Sequence, residues 1–399
     1  MRIDLVYPIL PPAINGIGDY TMHMARALAD QGVEVRILTG RDQDLVLPGI
    51  EVVPAFTVSP RSGVRSLTDA VEARPPDWLV VQFEQFSYGH WGLNPYLPAT
   101  LRALRRSLPN TRVALMAHED FVSARESLPF AIMSLWQRPQ FWTLGHSADH
   151  VFLSIDAWAQ KYQRWFPRTP VEHLPVGSNI PRRSISRAAA RRELNLSDDA
   201  FVVGVFGSAH PSRQLDRIGE ALASLRSLRP GTCVLYVGAA GAAVREALPP
   251  GVPLHDVGPQ PADVVSACFT AMDLYLTPFQ DGVSTRRGSF IVGLQHEVAT
   301  LSTTGPETDP MLHEANEDAF RLVPWDNADA FRNAVLNLSR DDETRTRLAK
   351  TGGSFFENNF SWPHLATQLM KALASPTTEV PVPNTDWTPS RAVSSPQQG

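Results

Sequence analysis

Apolar residues along this chain fall in short runs separated by helix-length segments. Ile3-Asp4-Leu5-Val6-Tyr7 reads as a strand leading through prolines into Asn15-Gly16-Ile17-Gly18-Asp19-Tyr20, after which Met22, Ala25, Leu28 and Ala29 keep near-helical spacing. Asp19 is the predicted N-cap of that helix, and Gly32 its stop before a strand over 33–38. Further strands are predicted over 78–83, 112–117 and 150–154. Strands this continuously apolar, alternating with helices, imply a parallel sheet covered on both faces. A second series begins over 200–207 and continues over 233–238, 274–276 and 299–302, so the pattern predicts two sheets.

A length of 399 residues also favours two cores over one. The segment over 171–181, followed by an arginine-rich helical stretch, places the boundary near residue 177. The reading gives a first Rossmann-like domain over 1–176, a second over 177–360, and a helix over 361–374 crossing back to the first. Residues 375–399, rich in Pro, Ser, Thr and Gln, read as a disordered tail. With 43% apolar and 19% charged residues the chain is globular, and a net charge of -5 argues against a nucleic-acid partner. Cys233 and Cys268 stand in no metal or redox spacing and read as reduced core thiols. Asp4 and the prolines spoil a leader at the N-terminus, and no apolar run reaches the length of a membrane span, so the expected location is cytoplasmic.

Chemistry is expected in the cleft outside the carboxyl ends of the strands. Gly16 and Gly18 lie in a strand-to-helix turn suited to an anion, though the third glycine of the dinucleotide pattern is missing. The segment over 280–289 is more informative: Gln280-Asp281-Gly282-Val283-Ser284-Thr285-Arg286-Arg287-Gly288-Ser289 links a strand end to an apolar helix. Two guanidinium groups beside a helix N-terminus suit a diphosphate. Away from a strand mouth the same pair would read as solvated charges. His118 and Glu84 each follow a strand end; a histidine there is commonly structural, and Glu84 either meets an acceptor or caps the next helix.

Taken together, these features resemble the retaining glycosyltransferases of the GT-B fold related to family 4, over roughly residues 1–373. The resemblance rests on the opening over 16–21, on Leu174-Pro175-Val176-Gly177, on the Val257-Gly258 step, and on Ala271-Met272-Asp273-Leu274-Tyr275-Leu276-Thr277-Pro278. It implies transfer of a sugar from a nucleotide-sugar donor to a hydroxyl acceptor, by front-face attack with retention, without metal or other cofactor. It assigns His118, Asp281 and Arg287 to catalysis. Gly16, Gly18, Gly207, Arg213, Gly282, Val283, Ser284, Arg286 and Ser289 fall to the donor, and Asp19, Tyr20 and Glu84 to the acceptor. Two departures stand out. The family carries two glutamates eight residues apart where this chain has Asp281 and Ser289, and an Arg and a Lys after the first strand of the second domain where it keeps only Arg213. Arg286 or Arg287 is expected to supply the missing charge.

The competing readings are a degenerate GT-B protein that binds nucleotide or glycan, and a sugar-nucleotide epimerase. A pyridoxal-type phosphorylase is disfavoured, since Lys161, Lys350 and Lys371 lie at no strand end of the second series. The acceptor is a glycan, a lipid-linked or a small molecule. Arginines at 102, 105, 106, 182, 183, 187, 191 and 192 raise peripheral contact with anionic lipid, against the plainer reading of solvated helix faces.

Overall fold

The computed structural model describes residues 1–13, 15–41, 45–58, 63–125, 127–208 and 210–375. Of the predicted tail, residues 376–399 lie outside the described residues. The first sheet contains β1 (Arg2–Val6), β2 (Glu34–Gly40), β3 (Glu51–Phe56), β4 (Trp78–Phe83), β5 (Arg112–Ala117), β6 (His150–Leu153) and β7 (Val171–His173). Its order is β3-β2-β1-β4-β5-β6-β7, and every neighbouring pair is parallel. Five helices belong to this half: α1 (Gly16–Asp30), α2 (Gly63–Ala73), α3 (Tyr96–Ser107), α4 (Leu128–Ser147) and α5 (Asp156–Gln163).

The second sheet is built from β8 (Phe201–Phe206), β9 (Thr232–Val237), β10 (Leu254–Asp256), β11 (Leu274–Leu276), β12 (Thr300–Thr304) and β13 (Arg321–Pro324), in the order β10-β9-β8-β11-β12-β13, again parallel throughout. Its helices are α6 (Arg187–Glu193), α7 (Leu215–Leu228), α8 (Gly241–Ala247), α9 (Ala262–Ala271), α10 (Gly288–Gln295), α11 (Pro310–Glu314), α12 (Ala328–Arg340) and α13 (Asp342–Asn359). The last helix, α14 (Trp362–Ala374), leaves this half. Two Rossmann-like domains are therefore present, as the hydrophobic pattern predicts.

Successive side chains of a strand point to opposite faces, and the cores follow that rule. On β5, Val113, Leu115 and Ala117 join one cluster while Ala114 and Met116 join the other. On β8, Phe201, Val203 and Val205 pack on one side and Val202 on the other. A charged pair interrupts the first sheet: Asp4 and Arg36 are partners across β1 and β2, fully buried, with Nε 3.1 Å from Oδ1.

The first helix begins differently from the sequence prediction. Asn15, not Asp19, is its N-cap, and the Asn15 side chain accepts from the Ile17 and Gly18 amides at 3.0 Å each. An extended residue with a short acceptor side chain satisfies orphan amides better than one inside the first turn. Gly18 is required by packing, since a Cβ there would lie 2.3 Å from the Ile9 carbonyl oxygen.

Helix α14 inserts Leu365, Ala366, Leu369, Ala372 and Leu373 into the first domain's core beside α1. Trp362 at its start stacks on His23 at 5.1 Å, meets Tyr20 at 5.2 Å, and donates from Nε1 to the Ser178 carbonyl at 2.9 Å. The chain's end thus fastens the second domain to the first. Leu365→Ala removes a side chain with no solvent exposure and is expected to cost about 2–5 kcal/mol. Chemical denaturation will show this as a lower midpoint; an unchanged midpoint would contradict the anchoring role.

Candidate functional site

The strands of both sheets direct their carboxyl ends at one cleft. From the first domain β4 leads to Glu84 and β5 to His118; from the second, β8 leads to Gly207 and β11 to the turn before α10. A cavity of about 300 Å³ lies between them, walled by Gly16, Tyr20, His118 and Glu119 on one side and by Arg286 and Arg287 on the other.

His118 is buried, and its Nε2 lies 2.8 Å from Oε1 of Gln82. Burial pushes its pKa down to about 3, so the ring is neutral at physiological pH and offers hydrogen bonds, not charge. Tyr20 packs edge-on against that ring at 4.7 Å, and its buried hydroxyl has no partner among the described residues. Asp19, half-buried beside it, has its carboxyl raised by burial. Glu84 accepts from the Phe86 and Ser87 amides at 2.8 and 2.9 Å and from the Ser87 hydroxyl at 2.6 Å. Of its two sequence readings, the cap describes this arrangement. Asn15 holds the amides of Ile17 and Gly18; Gly16 and Ile17 line the cleft, and the Gly16 carbonyl accepts from Asn179 at 3.1 Å.

The turn before α10 is set by tight backbone contacts. Gly282 adopts φ 79°, and a Cβ there would fall 2.2 Å from the Gly305 amide nitrogen. Val283 donates to Thr303 at 2.8 Å, and the Ser284 hydroxyl is buried without a partner among the described residues. The Thr285 amide donates to Oδ2 of Asp309 at 2.7 Å, while Oδ1 of that carboxylate accepts from the Asp156 amide, also at 2.7 Å. The Thr285 hydroxyl donates to the Ser154 carbonyl at 2.8 Å and lies 2.8 Å from Nε2 of His173. Asp309 is 1% exposed and joins the start of α5 in the first domain to the turn before α10 in the second. Sequence reasoning named neither Asp309 nor Glu307; the charged Gly-Pro-Glu-Thr-Asp-Pro turn over 305–310 was the available signal.

The two adjacent arginines part company. Arg286 pairs with Glu307 at 2.9 Å, lies 3.9 Å from Glu119 across the cleft, and sits over the Trp158 ring at 5.1 Å. Arg287 has no carboxylate partner among the described residues. Its guanidinium lies over Phe279 at 4.7 Å, its Nε is buried and unpartnered, and burial followed by Arg286 lowers its pKa to about 10. Arg213, also without an ion-pair partner among the described residues, lies over the same ring at 5.4 Å, and a Cβ on Gly207 would lie 3.2 Å from its Nη2. His210 completes the group, its pKa lowered by burial and then by Arg287 and Arg286. Cations crowded in this way repel one another, an arrangement that an anion would relieve. Asp281 is half-buried nearby, with no side-chain hydrogen bond or ion pair among the described residues. Ser289 lies in the first turn of α10, where its carbonyl accepts from the Tyr275 hydroxyl at 2.7 Å.

A larger cavity, about 980 Å³, lies apart from this cleft near the start of β8, between α6 and α13. On its walls Arg187 and Arg191 share Asp273 at 2.8 and 2.7 Å and Arg182 pairs with Glu297 at 2.9 Å; Arg183, not part of that lining, pairs with Glu193 at 2.9 Å. That pairing removes these four arginines as the free basic face raised by the sequence. Among the described residues no cluster of His, Cys, Asp and Glu could hold a metal ion, and no helix is long and apolar enough to cross a membrane.

Residues 15–177 match the family model described as glycosyl transferase 4-like domain. No curated protein matches the sequence. Among solved structures, sucrose-phosphate synthase from Thermosynechococcus elongatus is similar at TM-score 0.68 and 17% identity, covering 93% of this chain and 98% of that one. WaaG, a glycosyltransferase involved in lipopolysaccharide biosynthesis, is similar at TM-score 0.65 and 16% identity over 94% and 100%. HepE of Anabaena in complex with UDP-glucose gives TM-score 0.67 and 13% identity over 94% and 100%. These likenesses establish the GT-B architecture.

Acid stability follows from the buried histidines. His296, 4% exposed, donates from Nδ1 to the Val292 carbonyl, its Nε2 lies 2.9 Å from the Ser266 hydroxyl, and burial lowers its pKa to about 4. Below about pH 6.5 the unfolded chain binds protons that the folded chain refuses at His118 and His296. Stability therefore falls as pH drops from about 6.5 to about 4, by at most ~1.4 kcal/mol per group per pH unit. Thermal melts across that range should show the decline, shallower in His296→Gln; a flat profile would contradict the burial assignment.

Proposed function

We propose that the protein is a GT-B glycosyltransferase that takes a sugar from a nucleoside-diphosphate donor and passes it to a hydroxyl acceptor. One observation carries this reading: Arg213 and Arg287 converge from the ends of β8 and β11 with no carboxylate partner among the described residues, beside the N-terminus of α10. A diphosphate there would neutralise both guanidinium groups and meet the positive end of the helix. Because Arg286 is engaged by Glu307, the charge missing from the β8 loop falls to Arg287. The match of residues 15–177 to a glycosyltransferase domain and the UDP-glucose complex of HepE support the nucleotide-sugar reading.

In this assignment Asp281 accepts from hydroxyls of the donor sugar, and the Ser289 hydroxyl reaches the ribose more weakly than a carboxylate would. The neutral His118 ring hydrogen-bonds the sugar from the opposite wall, while Gly282, Val283 and Ser284 shape the turn beneath it. Asp19 and Tyr20 border the acceptor. Transfer breaks the bond between the anomeric carbon and the phosphate oxygen, forms one to the acceptor oxygen on the same face, and moves the acceptor proton to the leaving phosphate. Negative charge grows on that phosphate as the bond breaks, so a preorganised cation lowers the barrier without metal.

The test compares uridine, guanosine and adenosine diphosphates by calorimetry. At least one should bind, and Arg287→Ala should weaken it about 10- to 100-fold, the loss of a charged hydrogen bond worth ~1.5–3 kcal/mol. Arg286→Ala should change binding less. Wild-type affinity in both Arg287→Ala and Arg213→Ala, or no binding of any diphosphate, would sink the reading.

A further inference from the structure

Helix α4 is apolar on two sides. Its inner side chains, among them Met133, Phe141 and Leu144, are buried in the first domain. Its outer side carries Leu128, Ile132, Leu135 and Trp142, which are 76%, 45%, 74% and 46% exposed. Steps of four, three and seven residues put these four on one stripe, and no element among the described residues covers it.

Beside α4 stand Trp91 and Leu93, 57% and 50% exposed. Trp91 holds φ 55° and ψ 22°, a left-handed conformation that is costly for an aromatic residue. Two hydrogen bonds from α4 keep it there: its carbonyl accepts from Trp136 Nε1 at 3.0 Å and from Gln137 Nε2 at 3.1 Å. A strained backbone pinned by its neighbours points to a selected placement.

Charge narrows the partner. Although the whole chain is net -5, residues 85–118 and 127–148 contain no aspartate or glutamate. Arg102 and Arg106 on α3, Arg125 before α4 and Arg138 on it are exposed, with no ion-pair partner among the described residues. We propose that this face, made by α4 with the Trp91 loop, docks on an anionic lipid bilayer. Exposed Trp and Leu seat at the boundary between headgroups and acyl chains, and arginines meet anionic headgroups. A symmetric second copy would set two patches of the same positive sign against each other, which disfavours self-association. Docking does not depend on the transferase reading. Its consequence does: Phe86, 45% exposed, follows β4 at the cleft, so a docked molecule would hold the acceptor side near the membrane.

The test uses the full chain and vesicles of phosphatidylcholine alone or mixed equally with phosphatidylglycerol. Sedimentation is expected with the mixed vesicles, weakened by salt, and little with phosphatidylcholine alone. Leu135→Glu and Arg138→Glu should each lower partitioning about tenfold, through insertion and charge respectively. Leu228→Glu, an equally conservative change at a 41% exposed site on α7 in the other domain, should leave it unchanged. Melting temperature and nucleoside-diphosphate affinity, kept in each variant, show that the fold and the cleft are intact. Failure to sediment with anionic vesicles, equal binding by Leu135→Glu, or a concentration-dependent dimer that Leu135→Glu abolishes would overturn the proposal.

Discussion

The carboxylate of Asp309 holds the cleft together. It stands at the N-cap position of α11 yet gives its oxygens to other parts of the chain, one to the Asp156 amide at the start of α5 and one to the Thr285 amide in the turn before α10. A buried carboxylate needs such donors, and these two belong to different domains. The domains are therefore fixed relative to one another at the level of the turn before α10. With Thr285 held, Arg286 and Arg287 leave the turn in opposite directions, one toward Glu307 and Glu119, the other toward Phe279 and Arg213.

That divergence gives the two adjacent arginines separate work. Arg286 is neutralised and spans the cleft, so it contributes to the seam between domains. Arg287 is half-buried, with its Nε unpartnered and no carboxylate partner among the described residues, a costly state that a bound anion would relieve. His118 complements this from the opposite wall as a neutral ring, since burial strips its charge. The side formed by Arg213 and Arg287 is thus positive and the His118 ring facing it is neutral, which would suit an anionic diphosphate beside a polar neutral sugar.

Much of this was legible in the sequence, and the omissions have a common cause. The strands at 78–83, 112–117 and 274–276 appear with the predicted bounds, and the remaining interior strands differ by one or two residues at an end. β3, β7, β10 and β13 were not anticipated, and they are the four edge strands of the two sheets. Edge strands are half exposed, and Pro54 in β3, Glu172 in β7 and His255 in β10 break the apolar run that marks a buried strand. At the site, the turn over 280–289 announced itself because its glycine, arginines and following helix are contiguous. Asp309 and Glu307 did not, since their partners lie far away in sequence and no spacing rule links them. Asn15 was missed as a cap because the aspartate four residues later looked equally able to fill that place.

Arg213 and Arg287 are proposed to hold a diphosphate, and a crystal structure of the protein with a bound nucleoside diphosphate would show it. Phosphate oxygens are expected within about 3.2 Å of both guanidinium groups, near the N-terminus of α10, with Arg286 still paired to Glu307. A diphosphate bound through Arg286 instead, or lodged in the larger cavity between α6 and α13, would contradict it.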